Sequence, residues 1–196
     1  MTVIRQISEK EVPMNMLLHA DPSEKCIDRY LPGSKCFGVF VEDELVGVCV
    51  ANLNDDDIWE IFNIVVIPEK QKQGFGKKLL EFVINYFEEL GASSLELGTG
   101  TFGYQLLFYQ RAGFRVESIR KNFFIDNYSE LIFEDGVQLK DMLRLCIRYN
   151  RQSTYPAHRS QPRTAENSSE RHPLLSTTEC RDCNDILDEA DNLKID

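Results

Sequence analysis

The segment "WEIFNIVVIPEKQKQGFGKKLLEFVINYFEELG", residues 59–91, constrains the fold more than any other part of the chain. It opens with a nearly continuous apolar run rich in β-branched residues, as expected of a strand buried on both faces and therefore central in its sheet. It closes with Leu79, Leu80, Val83, Phe87 and Leu90 at helical spacing, followed by Gly91 where a left-handed helix stop is expected. Between the two lie Pro68, Gly74 and Gly76 together with Lys70, Lys72, Lys77 and Lys78. A loop that only turned the chain would not need that charge. A helix N-terminus exposes unpaired N–H groups and the positive end of its dipole, and glycines let an anion approach them. The order of residues predicts a strand–loop–helix unit with a polyphosphate site at the loop.

Two common nucleotide-binding patterns fail here on named residues. A P-loop requires Gly-x-x-x-x-Gly-Lys-Ser/Thr, but position 71 is Gln and Lys78 stands where the hydroxyl should be. A dinucleotide fingerprint requires a third glycine, and position 79 is Leu.

The rest of residues 1–149 is dense in patterned apolar segments. "TVIRQI" reads as a strand, and "SEKEVPMNMLLHA" and "PSEKCIDRYL" as short helices, the first with Ser8 and Glu11 in capping-box spacing. "KCFGVFVEDELVGVCVANL" reads as a hairpin turning at Glu42-Asp43-Glu44. After the long helix come a strand at "SSLELGTG", a helix at "YQLLFYQRA", and closing strands at "GFRVESIRKNFF" and "QLKDMLRLCIRY". The order β–α–α–β–β–β–α–β–α–β–β predicts an α+β domain, a mixed and mostly antiparallel sheet flanked by helices in three layers.

At this point a resemblance carries further. "Gln71-Lys72-Gln73-Gly74-Phe75-Gly76" resembles the acetyl-CoA loop of the GNAT superfamily of N-acetyltransferases, Gln/Arg-x-x-Gly-x-Gly/Ala. "FYQRAGFRV" resembles the family's Leu-Tyr-x-Lys/Arg-x-Gly-Phe signature, and "FEDGVQLKDMLRL" the closing strand of small bacterial members. The resemblance covers residues 1 to about 149. It implies acetyl-CoA as acetyl donor and no metal. The strand at Ile64, Val65 and Val66 would splay from the strand at Leu95–Thr99 and admit the pantetheine arm, with Val65 and Val66 pairing to its amides. Gln71, Lys72, Gln73, Gly74, Phe75, Gly76 and Lys77 would hold the pyrophosphate. The turn before the Tyr109 helix departs from the family, with Phe102 and Gln105 where many relatives have Asn and Ala.

Acetyl transfer to an amine needs a neutral nitrogen, a stabilised oxyanion and a proton for the departing thiolate. By the resemblance, Tyr109 would be the general acid at sulfur and Glu60 the base, directly or through water. The bland alternatives are a core tyrosine on an apolar helix and an exposed carboxylate at a strand end. Simple alternation puts Glu60, Phe62, Ile64 and Val66 on one face and Asn63 on the other.

The net charge of −10 argues against nucleic acid as partner, and no apolar run is long enough to span a membrane. Without a leader, and with Cys26, Cys36, Cys49 and Cys146 lying singly within patterned segments, the expected home is the reducing cytoplasm. Asn54-Asp55-Asp56-Asp57 reads as a turn or as an acidic rim that draws a cationic substrate. The acceptor expected is a small-molecule amine. A peptide N-terminus or protein lysine is the alternative acceptor, and an acyl-CoA sensor without turnover the alternative function. Residues 150–196 are polar and aperiodic, a tail expected to be disordered. It carries a short helical stripe near 184–194, suited to a protein partner, and a Cys180–Cys183 pair whose spacing to histidines does not fit zinc.

Overall fold

A computed structural model describes residues 1–149, apart from positions 22, 55, 57, 128–130 and 135. The tail expectations, with Cys180 and Cys183, lie outside the described residues. The elements are β1 Thr2–Ile7, α1 Met14–Leu17, α2 Glu24–Tyr30, β2 Lys35–Val41, β3 Glu44–Leu53, β4 Trp59–Val66 and α3 Phe75–Glu89. There follow β5 Ser94–Gly100, α4 Tyr104–Arg111, β6 Arg115–Arg120, α5 Phe123–Asn127, β7 Phe133–Glu134, β8 Val137–Gln138 and β9 Met142–Arg148.

Among the described residues, seven strands form one sheet in the order β1-β2-β3-β4-β5-β9-β6, and β7 with β8 forms a separate small hairpin. Among the described strand pairs of this sheet only β4–β5 is parallel, so the sheet is mixed and mostly antiparallel, as expected. Helices cover both faces. On one, α3 and α4 pack Leu79, Leu80, Val83, Phe87, Phe108 and Tyr109 onto Cys49, Ala51, Ile61, Ile64 and Leu145. On the other, Met16, Leu17, Ile27 and Tyr30 of α1 and α2 cover Cys36, Val48, Val50 and Val65. Leu79, Leu80, Val83 and Phe87 are fully buried, and each such side chain is worth about 1.5–3 kcal/mol of transfer free energy. Leu90, expected on the same stripe, is instead 48% exposed at the end of the helix.

The local signals act as expected at the end of α3 and only partly in the N-terminal segment. Gly91 has φ +80°, and the N–H groups of Gly91 and Ala92 donate to Glu88 O and Phe87 O, a Schellman stop. The Ser8–Glu11 capping box is present, with Ser8 N donating to Glu11 Oε2 at 2.7 Å. It caps a single 3₁₀ turn, Glu9–Glu11, and not an α-helix. Pro13 has no N–H to continue that turn, and the chain starts again as α1 beyond it. The β2–β3 turn uses Glu42 and Asp43 at φ +51° and +68°, the left-handed pair of a type I′ hairpin.

Among the described residues, no helix is long and apolar enough to cross a membrane. The four cysteines described, Cys26, Cys36, Cys49 and Cys146, are buried free thiols.

Candidate active site

The site is built where β4 and β5 part. They pair at Trp59↔Leu95, Glu60↔Glu96 and Ile61↔Leu97, and no further. Beyond that point β4 continues to Val66 on its β3 side, and β5 continues to Gly100 on its β9 side. The facing edges of residues 63–66 and 98–100 are therefore without strand pairing to each other, as the splay implied by the resemblance requires. Backbone groups left without ladder partners seek others, and an extended arm bearing amides fits such a slot.

A bulge lies at the same place. Val50 pairs with Asn63 and Ala51 with Ile61, so Phe62 has no partner on β3. Phe62 and Asn63 both turn to the α1–α2 face: the Phe62 ring stacks on Tyr30 at 5.3 Å, and Asn63 Nδ2 donates to Tyr30 Oη at 3.0 Å. Simple alternation is thus broken. Glu60, whose β3 partner Asn52 donates to Tyr30 O, shares its face with Asn63, while Ile61, Ile64 and Val66 face α3. An extra residue in one strand of an antiparallel pair has this effect.

The loop after β4 has the geometry of an anion cradle. Lys72 has φ +58° and Gly74 φ +80°, two left-handed residues that fold the backbone tightly. Gly74 caps α3 without any side-chain hydrogen bond, so the first N–H groups of the helix, from Phe75, Gly76 and Lys77, are not taken by a capping side chain. Phe75 and Gly76 are buried, anchoring the first turn against the core, while Lys72, Gln73, Gly74, Lys77 and Lys78 are exposed. Gln71 Nε2 donates to Val66 O at 3.0 Å, and Gln73 Nε2 to Glu69 O at 3.2 Å, fastening the loop to the strand it follows. Lys77 pairs with Glu81 at 3.7 Å on the open surface, a contact that salt screens readily.

Tyr109 lies on the α3 face, 6% exposed, its ring against Phe108 and Phe114. Burial, and secondarily the nearby Cys49 thiol, hold its phenol above its ordinary value, so it stays protonated. Cys49 is the cross-strand partner of Ile64, which locates the phenol beneath the part of β4 that has left β5.

Glu60 lies one pair before the last, on the opposite face. Both of its oxygens accept from Arg144, at 2.5 and 2.7 Å, and Arg144 also reaches Glu96 at 3.0 Å. The three side chains are 12–19% exposed. Burial works against the Arg144 charge, but hydrogen bonds and attraction from Glu60 and Glu96 outweigh it and raise its affinity for its proton. Arg144 and Glu96 were not singled out by the sequence reading. Arg144 is 84 positions from Glu60, and no local pattern links them. In the turn before α4, Thr99 Oγ1 donates to Gln105 Oε1 at 3.5 Å. Among the described residues no group of three or more His, Cys, Asp or Glu side chains is placed to hold a metal ion.

Comparison with known proteins decides the family. Residues 4–114 match the model of the acetyltransferase (GNAT) family. The chain belongs to the GNAT acetyltransferase family. Its members are acetyl-CoA-dependent acyltransferases. This GNAT chain is 43% identical over 134 residues to the uncharacterized N-acetyltransferase YvbK of Bacillus subtilis (strain 168), a match covering 68% of this chain and 86% of that protein. It is similar to a GNAT acetyltransferase of Elizabethkingia anophelis solved with acetyl-CoA bound, at 38% identity and TM-score 0.69, covering 75% of this chain and 97% of that one. A shorter match, 35% over 65 residues, links it to the ribosomal protein bS18-alanine N-acetyltransferase of Escherichia coli (strain K12), covering 33% of this chain and 44% of that protein.

Proposed function

We propose that this GNAT enzyme transfers acetyl from acetyl-CoA to a primary amine, a small molecule, by direct attack within a ternary complex. The observation that carries the reading is the coincidence of the β4–β5 slot with the uncapped, glycine-entered N-terminus of α3 at its mouth. Ile64, Val65 and Val66 line the slot. The N–H groups of residues 72–77 would take the pyrophosphate, aided by Lys72 and Lys77. Acetyl-CoA supplies the acetyl group as an activated thioester.

Each proton then has a route. Tyr109, protonated and beneath the splayed strand, gives its proton to the departing sulfur as the C–S bond breaks. The proton of the acceptor ammonium leaves through water toward Glu60. The Arg144 fork engages each carboxylate oxygen once, and each keeps a lone pair for such a water. Glu60 therefore acts as a water-linked base on the face opposite Tyr109.

The test is release of CoA thiol from acetyl-CoA over a panel of primary amines, with Tyr109→Phe alongside. The expected result is amine-dependent release that falls about 10²–10³-fold in the variant. Binding of acetyl-CoA with no amine-dependent release would replace the enzyme reading by a sensor. The bS18-alanine enzyme's name supports a second reading, a peptide N-terminus as acceptor, so a panel peptide with N-terminal alanine belongs in the same assay.

A further inference from the structure

The far edge of the sheet carries an apolar groove. β6 is the last strand, paired among the described residues with β9, and each of its six residues is exposed. Val116 and Ile119 stand opposite Leu145 and Leu143, which lie in the core beneath α3 and α4, so both project on that helix-covered face. On the same face runs α4. Its Tyr109 is directed to the slot beside Cys49, and Leu107 lies about 200° round the helix from it, on the flank turned toward β9 and β6. Tyr104, three residues earlier, shares that flank. These four apolar side chains are 43–57% exposed. An apolar strip rimmed by charge marks a docking surface, where singly scattered apolar residues do not.

The rim selects the occupant. Arg111, Arg115, Arg120 and Lys121 are exposed along this edge, and Glu117, the acid among them, is already held by Arg148. In a chain of net charge −10 the edge is a local reversal of sign. A second copy meets it badly, because a twofold contact sets the same patch against itself, cations facing cations. A fitting ligand has acids around an apolar stripe. Residues 182–193, "DCNDILDEADNL", have that make-up. Asp182, Asp185, Asp188, Glu189 and Asp191 are accompanied there by no Lys or Arg, and Ile186, Leu187, Ala190 and Leu193 recur at helical spacing. Ile186 to Leu193 spans about 10 Å of helix, the length of α4 from Tyr104 to Arg111. The chain also leaves the sheet beside the groove. β9 ends at Arg148, and its Cys146 pairs with Arg115 at the start of β6. Roughly 30 residues then lead to Asp182, a tether of about 30 Å root-mean-square length. Such a tether gives an effective concentration on the order of millimolar, so a weak contact suffices.

We infer that residues 182–193 dock in the groove between α4 and β6 of their own chain, as an amphipathic helix that lays Ile186, Leu187 and Leu193 on Tyr104, Leu107, Val116 and Ile119. Its acids then meet the arginine rim. The stripe is too short to hold a helix alone, and the groove supplies the missing face. The docked segment rests on the outer flank of α4, whose inner flank carries Tyr109. The inference is independent of the acetyl-transfer reading, since a chain without turnover has the same edge and the same tail.

The experiment uses the full chain labelled with ¹⁵N. Cys26, Cys36, Cys49 and Cys146 are buried free thiols, so with Cys180→Ser a nitroxide reagent attaches at Cys183, inside the segment. Amide signals are compared before and after reduction of the nitroxide, with β1, at the opposite end of the sheet, as internal reference. The inference expects selective broadening at Leu107, Arg111, Val116 and Ile119, weakened by high salt and lost in Leu187→Ser/Leu193→Ser. That double variant leaves the tether and the charges as they are. Broadening that survives it is mere proximity of the tether and overturns the inference, as does equal broadening of β1 or none at β6. A mixed sample, with nitroxide on an unlabelled chain and ¹⁵N on an unmodified one, is expected to stay sharp. Broadening there gives the groove to a neighbouring copy's segment and overturns the assignment to the same chain.

Discussion

Arg144 grips Glu60 with two guanidinium nitrogens, at 2.5 and 2.7 Å, one level before the last at which β4 and β5 are paired. With Glu96 at 3.0 Å on its other side, one cation ties three strands, β4, β5 and β9, at the apex of the slot. Below it the strands share a ladder. Above it they part.

Removing the cation leaves two carboxylates facing each other in a largely buried setting. Arg144→Ala is expected to lower unfolding stability by about 3 kcal/mol, since breaking such a pair strands uncompensated charge. Urea denaturation checks it, and a loss within 0.5 kcal/mol, as for an ordinary surface change, contradicts it.

Glu60 and Glu96 share the same arginine, which makes each the other's control. Glu60→Gln and Glu96→Gln are expected to cost similar stability, while only Glu60→Gln lowers kcat, by about 10²-fold. Equal kcat losses in the two would make Glu60 a strut and not a base. Steady-state rates beside thermal melts separate the outcomes.

Gly74 has φ +80°, and a Cβ added there would meet nothing within 4 Å. Gly74→Ala therefore strains only the backbone, at a cost of about 1–2 kcal/mol. The same change places a methyl beside the N–H groups assigned to pyrophosphate. Affinity for acetyl-CoA, measured by calorimetry, is expected to fall about tenfold or more, roughly the loss of one hydrogen bond to a charged group.

Asp21 gives a signed pH prediction. Burial raises its carboxyl above the ordinary value of 3.8, outweighing the Ser23 N–H and the Tyr30 hydroxyl that favour the anion. A carboxyl with a raised folded pKa favours folding below its unfolded pKa, and that contribution is lost as pH rises through the folded value. Asp21→Asn is therefore expected to melt higher than the parent at pH 7, with the difference closing near pH 3. A variant that melts lower at pH 7 than at pH 3, relative to the parent, contradicts the sign.

What the sequence disclosed follows from the range of the forces involved. The strand–loop–helix from 59 to 91 was legible because strand run, glycine entry and helix stop each act within a few residues. The end of "GFRVESIRKNFF" was not: Asn122 takes φ +59°, its N–H donates to Asp141 Oδ1 at 2.7 Å, and Phe123 and Phe124 begin helix α5 instead of extending β6. The β7–β8 hairpin has two residues per strand, too few for any period to register. The Arg144 fork and the Leu17–Asn63–Tyr30 cluster join distant segments, and no window along the chain contains both partners.

The unpaired Phe62 has a structural corollary. It shifts β4 by half a pleat, so the ribbon carries two phases joined at one spare residue. Excising that residue would close the bulge with both halves still in step with β3 and Glu60 on its present face, whereas pairing Phe62 on β3 in its place would turn Glu60 through the sheet, away from Arg144. The spare residue is thus what lets one strand present a carboxylate, an amide and a ring on a single side.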